Sequence, residues 1–228
     1  MSEQYFTTAT FRFLRDLAAH NDRQWMADNK QRYIDEVQEP ALEFIDDFRP
    51  RLRAISPHFR ADARTVGGSL FRIHRDTRFA KDKTPYKENT GLQFRHEMAK
   101  DAHAPGFYLH IQPGECFVGV GLWRPETKVA YQIRHLIADD PNAWIEASRG
   151  GDFAATYALA GESLKRPPKG FDAESPLIDD LKRKDFIASS PLTQKTVTSS
   201  SFIDDFDEMC QSASKFMSFL CSAVGVPY

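Results

Sequence analysis

Residues 107–123 read FYLHIQPGECFVGVGLW, and this stretch decides the fold class. From Phe107 to Gln112, apolar residues alternate with more polar ones, which is the period of a strand with one buried face. The run Cys116–Trp123 is apolar enough for a more deeply buried strand. The intervening Pro113-Gly114 favours a tight turn, so the two strands should form an antiparallel hairpin.

Two further stretches, Phe71–His74 and Leu92–Arg95, show the same alternation and predict two more strands. Apolar residues with helical spacing lie on both sides of these strands in the sequence. Runs of strands flanked by runs of helices favour an α+β fold over a repeated βαβ unit. We therefore predict one domain over residues 1–228, of class α+β, with a central mostly antiparallel sheet packed by N-terminal and C-terminal helices.

The helices are predicted from apolar residues three or four positions apart and from capping residues. The first covers Phe11 to Leu17, and Asp22 is placed to cap the second. Pro40 fits the first turn of a third helix, which Pro50 should bend or interrupt. One last helix is expected from about Phe202 to Ala223.

The composition limits the partners and the location of the protein. Its 228 residues carry a net charge of −2, so nucleic acid or anionic lipid should be attracted only by a local basic patch. The three cysteines have no zinc-type spacing and should be buried, reduced thiols. No stretch approaches the ~20 apolar residues of a membrane helix. We expect a cytoplasmic protein that does not associate with membranes.

Residues 72–87, RIHRDTRFAKDKTPYK, are called the basic loop below. They hold six basic and two acidic residues, a net +4 in a chain of −2. Arginine suits bidentate contact with phosphate or carboxylate, and lysine adds point charges. Asp76 and Asp82 either orient these cations, bind a metal, or pair with neighbouring Arg and Lys to lock a long loop. No metal site is predicted, and no cofactor is identified.

Strand register indicates a second group of polar residues. If the three alternating strands share a sheet, the side chains opposite the core share one surface: Arg72, His74, Gln93, Arg95, Tyr108 and His110. The predicted anion-binding residues are Arg72, Arg75, Arg78, Lys81, Lys83, Lys87, Arg95 and Tyr108. His74 and His110 are candidate catalytic acids or bases, because histidine titrates near neutral pH.

The basic loop resembles the signature of domain of unknown function family 2461, which is found in bacteria and fungi. The matching parts are Arg75 to Phe79, Lys81 to Lys83, and Pro85 to Lys87. Four other segments are similar: Trp25–Tyr33, Tyr108–Gly114, Gly119–Glu126 and Leu164–Asp172. Departures are Met26, where the family often has Phe, and Ser175, where it often has His. The resemblance covers nearly the whole chain and implies no activity, cofactor or catalytic residue.

Three functions stay open at this point. The first is binding of a phosphate-bearing ligand, a nucleotide or nucleic acid, by the basic loop, with or without hydrolytic chemistry. The second is a non-enzymatic protein-interaction or scaffold domain whose basic loop is a structural ion-pair network. The third is a small-molecule enzyme with an apolar pocket between helices and sheet. The concentration of charge in the basic loop favours the first.

Overall fold

A five-stranded sheet forms the centre of the protein in a computed structural model that describes residues 4–98 and 104–228. Its strands are β1 (Thr90–Arg95), β2 (Gly106–Gln112), β3 (Glu115–Leu122), β4 (Ala158–Ala160) and β5 (Phe186–Leu192). The strand order is β1-β2-β3-β5-β4, and every neighbouring pair is antiparallel. The predicted α+β class, the antiparallel sheet and the β2–β3 hairpin are therefore confirmed.

Helices precede and follow the strands. They are α1 (Thr8–Ala19), α2 (Arg23–Asp28), α3 (Lys30–Tyr33), a π-helical turn (Ile34–Gln38), α4 (Glu39–Ile55), α5 (Thr127–Asp139), α6 (Pro141–Arg149), α7 (Gly151–Thr156), α8 (Ile178–Leu181), α9 (Gln194–Val197), α10 (Phe202–Ser212) and α11 (Ser214–Ala223). Within residues 4–98 and 104–228, none of them has the length and apolar character needed to cross a membrane.

The N-terminal helices follow the sequence prediction at their starts. Asp22 caps α2 by accepting a hydrogen bond from the Trp25 N–H at 2.9 Å, and Pro40 lies in the first turn of α4. Of the two outcomes predicted for Pro50, a bend or an interruption, the interruption does not occur, because α4 continues through Pro50. The buried side chains of Phe48 and Leu52 on either side hold the helix together despite the missing backbone donor.

The single C-terminal helix that was predicted is two helices, α10 and α11. They are separated at Ala213, where φ is −89° and ψ is 0°. The break directs the two apolar faces to different partners. The Phe206 ring of α10 packs on Phe48 at 4.8 Å between centroids, whereas the Phe216 ring of α11 packs on Trp144 at 5.8 Å.

One face of the sheet forms the core with α4 and α10. Leu109 of β2 pairs with Leu92 and Val118 on either side, and all three are fully buried. The Phe94 ring lies 5.0 Å from Phe48 and 5.8 Å from Phe206. Burial of such rings is the main source of stability here. The residues that alternate with this set lie on the other face of the sheet and are partly exposed.

The sequence prediction missed β5, although this strand lies between β3 and β4 in the sheet. Its sequence, FIASSPL, contains two serines and Pro191, which argue against an internal strand. The structure resolves the conflict, because β4 pairs only with Ile187, Ala188 and Ser189. Pro191 lies beyond the end of β4, so no neighbouring strand on that side needs its missing N–H.

The predicted strand Phe71–His74 was also wrong. This segment makes only isolated antiparallel pairs, Leu70 with Leu92 and His74 with Tyr86. Leu70 and His74 are four positions apart in the sequence, whereas their partners Leu92 and Tyr86 are six positions apart. The two extra residues between Tyr86 and Leu92 interrupt the ladder of paired residues. Leu70 is buried in place of Phe71, which lies on the opposite face with its ring 5.9 Å from Tyr108.

Asn21, in the turn between α1 and α2, holds the basic loop against the helices. Its side-chain amide donates to the Tyr86 carbonyl at 3.1 Å, and its oxygen accepts the Tyr86 N–H at 3.1 Å. The same amide also donates to the Glu88 carboxylate at 3.2 Å. One side chain thus satisfies both backbone groups of Tyr86, as a neighbouring strand would.

Replacing Asn21 with Ala should lower the free energy of unfolding by about 1–3 kcal/mol, since two partly buried backbone groups lose their partner. For a chain of this size that corresponds to about 2–4 °C in Tm per kcal/mol, measurable by thermal and urea denaturation. Asn142→Ala, at an exposed position of α6, is the matched control. Equal Tm values for the two variants would contradict the role given to Asn21.

Candidate functional site

The basic loop folds back on itself beyond the edge of the sheet. Its two arms are joined by backbone hydrogen bonds, from the Arg75 N–H to the Pro85 carbonyl at 2.9 Å and from the Lys87 N–H to the Ile73 carbonyl at 2.7 Å. Residues 76–84 form its tip, where Phe79 is 95% exposed. The loop is therefore an ordered two-armed ribbon whose tip projects into solvent.

Three of the predicted anion-binding residues bind groups in the tip of the loop. Arg75 donates to both Asp82 and Thr84. The Arg78 guanidinium pairs with Asp76 at 2.7 Å. These contacts support the interpretation of Asp76 and Asp82 as internal partners of the arginines.

The third such residue is Lys83, whose ammonium donates to the Thr77 carbonyl at 2.8 Å.

The carboxylates of the tip remain charged over the whole neutral range. The Arg78 side chain lowers the pKa of Asp76 to about 2. The Thr84 N–H, followed by Arg75, lowers the pKa of Asp82 to about 2. Much of the positive charge at the tip is thus neutralised locally.

The other four cations have no such partner. Within the described ranges, no carboxylate lies within 4.0 Å of Arg72, Lys81, Lys87 or Arg95. The Lys87 ammonium donates to the Arg72 carbonyl at 2.9 Å and lies 5.2 Å from the Phe71 ring centroid. Burial, followed by the nearby Arg72 charge, lowers the pKa of Lys87. Arg95 makes a weak 3.4 Å contact with the Gly67 carbonyl.

Lys87 lies beside a cluster of rings on the sheet face opposite the helical core. The cluster is called the aromatic face and consists of Phe71, Tyr108, His110 and Phe117. Tyr108 is 5.9 Å from both phenylalanine rings, and His110 stacks on Phe117 at 4.7 Å and 11°. Gly91 leaves space for the Tyr108 side chain, because a Cβ at residue 91 would lie 2.6 Å from the Tyr108 hydroxyl oxygen.

The hydrogen bonds of His110 fix its neutral form. Its Nε2 lies 3.1 Å from Gln112 Oε1, which can only accept, so Nε2 carries the hydrogen. Nδ1 is therefore the acceptor for the Tyr108 hydroxyl at 3.0 Å, with the Asn89 amide more distant at 3.5 Å. A second proton on the ring would have to displace both donors from Nδ1.

Burial sets the charge state of this pair. It lowers the pKa of His110, partly offset by the Gln112 hydrogen bond, and it raises the pKa of the Tyr108 hydroxyl. Both groups are therefore uncharged at neutral pH, and the Nδ1 lone pair is already engaged by Tyr108. The arrangement is suited to stacking and hydrogen bonding with a ligand more than to proton transfer.

The two histidines that were predicted as catalytic lie in different surroundings. His74 is exposed on an arm of the basic loop, with its ring 5.1 Å from Tyr86. His110 contacts Tyr108 and Phe117, and the described residues show no contact between the two histidines. The structure brings His110 and Tyr108 together near Lys87 and leaves His74 and the paired arginines outside this group.

Two residues of the aromatic face were not predicted. Phe71 was assigned to the core by an alternation that the structure does not follow. Phe117 lies in the run Cys116–Trp123, which was predicted as a more deeply buried strand. Its position between the buried Cys116 and Val118 carries the signal, since strand alternation places it on the opposite face.

The fold and the site define an α+β protein whose antiparallel sheet has one face covered by helices. The other face bears rings beside Lys87, a cation with no acidic partner in the described part of the chain. Comparison with family models matches residues 9–219 to the family described as "Conserved hypothetical protein (DUF2461)", and the chain belongs to this family. The family inferred from the sequence is thereby confirmed. No curated protein and no solved structure matches the chain.

Replacing Arg75 with Gln should loosen the arms of the basic loop, because Arg75 ties them through Asp82 and Thr84. We expect faster hydrogen exchange for the amides of residues 75 and 87, with the Leu109 amide in β2 unchanged. Arg78→Gln is the control, because its partner lies two residues away within the tip. Equal acceleration in both variants would show that Arg75 has no special role.

The imidazole of His110 should titrate below its usual pKa of 6.5 in an NMR titration, and Gln112→Ala should lower the midpoint further. The unfolded chain takes up this proton at higher pH than the folded chain does. His110 therefore contributes stability that is present above about pH 6.5 and is lost as the pH falls through the folded pKa. Gln132→Ala, exposed on α5, should leave the midpoint unchanged. A midpoint at or above 6.5 would contradict the buried, hydrogen-bonded site.

Proposed function

We propose that the protein binds single-stranded nucleic acid, with bases on the aromatic face and phosphates on the neighbouring cations. The observation that carries the proposal is the combination of four adjoining rings on the sheet face opposite the helical core with cations that have no acidic partner among the described residues. Rings of this kind stack with any base, and a basic border follows the phosphate backbone.

The width of the aromatic face favours the binding of several nucleotides rather than a single one. Phe71 and Phe117 lie on chain segments separated by β1 and β2, so the rings extend over four adjacent segments. The Phe71 and Phe117 rings each lie 5.9 Å from the Tyr108 ring, so their centroids are at most twice that distance, about 12 Å, apart. Four-stranded sheets that bind RNA stack two or three bases over a comparable width.

The cations around the face fit phosphate contact. Lys87 is fixed beside Phe71 by its hydrogen bond to the Arg72 carbonyl, and Arg72 and Arg95 are free of carboxylates among the described residues. The chain as a whole has a net charge of −2, so this attraction is local. Binding of this type weakens steeply with salt, because it releases counterions from the nucleic acid.

The paired arginines of the tip favour a second candidate. Arg75 and Arg78 are engaged with Asp82 and Asp76, as expected if the basic loop is a structural ion-pair network in a non-enzymatic interaction domain. In that case the exposed Phe79 is the contact for a protein partner. The two candidates use different residues and are separated by the experiment below.

We also propose a cytoplasmic location. Its support is the state of the cysteines, since Cys116, Cys210 and Cys221 are all buried and free. Free, buried thiols are typical of proteins in reducing compartments.

The test is fluorescence anisotropy with labelled ten-nucleotide RNA and DNA at about 50 and 200 mM salt. Phe117→Ala should weaken binding about 5- to 150-fold, the equivalent of about 1–3 kcal/mol for one stacked base. Arg72→Gln with Lys87→Gln should reduce the slope of log K against log salt by about 1.4, or about 0.7 for each phosphate that is no longer neutralised.

The matched control is Arg15→Gln with Arg53→Gln, which removes two exposed cations from α1 and α4. It should leave the affinity and the salt slope unchanged. If the unmodified protein binds neither oligonucleotide, the proposal is wrong and the protein-interaction candidate is favoured. If Phe117→Ala binds as well as the unmodified protein, stacking on the aromatic face is ruled out.

A further inference from the structure

A separate cavity of about 550 Å³ lies beyond the C-terminal end of β3, between α5 and residues 161–170. One face of α5 forms its wall, with Thr127, Tyr131 and Arg134 at helical spacing. Leu164 and Pro168 form the opposite, largely apolar wall. The volume lies in the range of sites for metabolite-sized molecules.

Arg134 is the unusual residue of this cavity, because it is a buried cation that has no counter-ion among the described residues. Its side chain is held by hydrogen bonds from Nε to the Leu181 carbonyl and from Nη2 to the Arg183 carbonyl, both at 2.7 Å. Only 4% of Arg134 is exposed. In the described part of the chain no carboxylate lies within 4.0 Å of it, and Nη1 makes no hydrogen bond.

The cost of such an arrangement points to a missing partner. Arginine stays protonated even where burial lowers its pKa, as it does for Arg134. A buried charge is strongly unfavourable unless an opposite charge or hydrogen bonds compensate it. Two carbonyls and the rings of Tyr131 and Phe186, at 5.4 and 5.9 Å, supply part of this compensation. Nη1 is not fully buried, and it remains accessible to an anion in the cavity.

The acidic residues that line the cavity are already occupied. The two Asp185 carboxylate oxygens accept the backbone N–H groups of Arg124 at 2.9 Å and Glu162 at 2.8 Å. Glu162 itself pairs with Lys184 at 3.1 Å. Neither carboxylate neutralises Arg134. Asp185 instead fixes the backbone of Arg124, which has a φ of 47°.

The N-terminus of α5 adds a second attraction for an anion at the same cavity. Thr127 is its first residue, and the side chain of the N-cap residue Glu126 makes no capping hydrogen bond. The first-turn N–H groups are therefore not satisfied by the cap, and the helix dipole favours negative charge there. Seven residues of helix place Arg134 about 10 Å from this end.

We propose that this cavity binds a small organic anion. Its carboxylate or phosphate group pairs with Arg134, and its apolar body lies against Tyr131, Leu164 and Pro168. A further polar group of the ligand is within reach of Arg124 and the first turn of α5. This site shares no residue with the aromatic face, so it does not depend on the proposed binding of nucleic acid.

The experiment is an NMR titration of the ¹⁵N-labelled protein with phenyl phosphate, benzoate and inorganic phosphate, and with benzyl alcohol as the uncharged control. At least one of the two aromatic anions should produce saturable shifts of the Thr127 and Lys128 amides and of the Arg134 Nε–H. Benzyl alcohol should produce none. The aromatic anion that binds with the higher affinity shows whether the site prefers a phosphate or a carboxylate group. The affinity for inorganic phosphate shows whether the apolar part of the ligand is needed.

Arg134→Gln should weaken the aromatic anion at least tenfold. Since this variant also removes the hydrogen bonds to Leu181 and Arg183, Arg124→Gln serves as the second variant and should weaken binding without lowering Tm. Arg15→Gln, a single exposed arginine of α1, is the matched control. The proposal is overturned if neither aromatic anion gives saturable shifts, or if both site variants bind like the control.

Discussion

The packing of phenylalanine rings from α4 and α10 on one face of the sheet is the constraint on which the rest of the structure depends. Phe48 and Phe206 bury Phe94, and the same face buries Leu109. Strand side chains alternate between faces, so this burial fixes Tyr108, next to Leu109, on the opposite side. A shift of register by one residue would bury polar groups and expose the core. The aromatic face is thus determined by the core beneath it.

The net charge of the basic loop says less about anion binding than the positions of the carboxylates that pair with its cations. The +4 of residues 72–87 divides into a tip, where Asp76 and Asp82 engage arginines, and a base, where Arg72 and Lys87 lie beside Phe71 without carboxylates among the described residues. Exposed ion pairs contribute little stability, but they orient side chains. The tip is therefore oriented by its own ion pairs. Among the described residues, the charge left without a carboxylate is shared between Lys81 and Lys83 at the tip and Arg72 and Lys87 at the base.

Short-range patterns in the sequence predicted much of the fold and little of the site. The alternation in 107–123 and its Pro-Gly turn sufficed for the hairpin, because both depend on neighbouring residues. The position of Phe71 depends on extra residues in the return arm, and β5 tolerates Pro191 only because β4 is short. Both features depend on pairing with a segment that is distant in the sequence, the return arm for Phe71 and β4 for Pro191. The ion pairs could not be predicted either, since the sequence does not show which cations lie close to a carboxylate in the folded protein.

The two regions that we propose bind anions differ in physical character, and this difference bears on what each could hold. At the aromatic face, Arg72 is exposed and Lys87 and Arg95 are half-buried, so salt screens them more than it would a fully buried charge, and an extended ligand would be held by many weak contacts. In the cavity beside α5, Arg134 is buried, where a lower effective dielectric strengthens its attraction and a few contacts suffice for a small ligand. A net charge of −2 is therefore compatible with both proposed sites, because local burial and ion pairing decide the interaction with an anion.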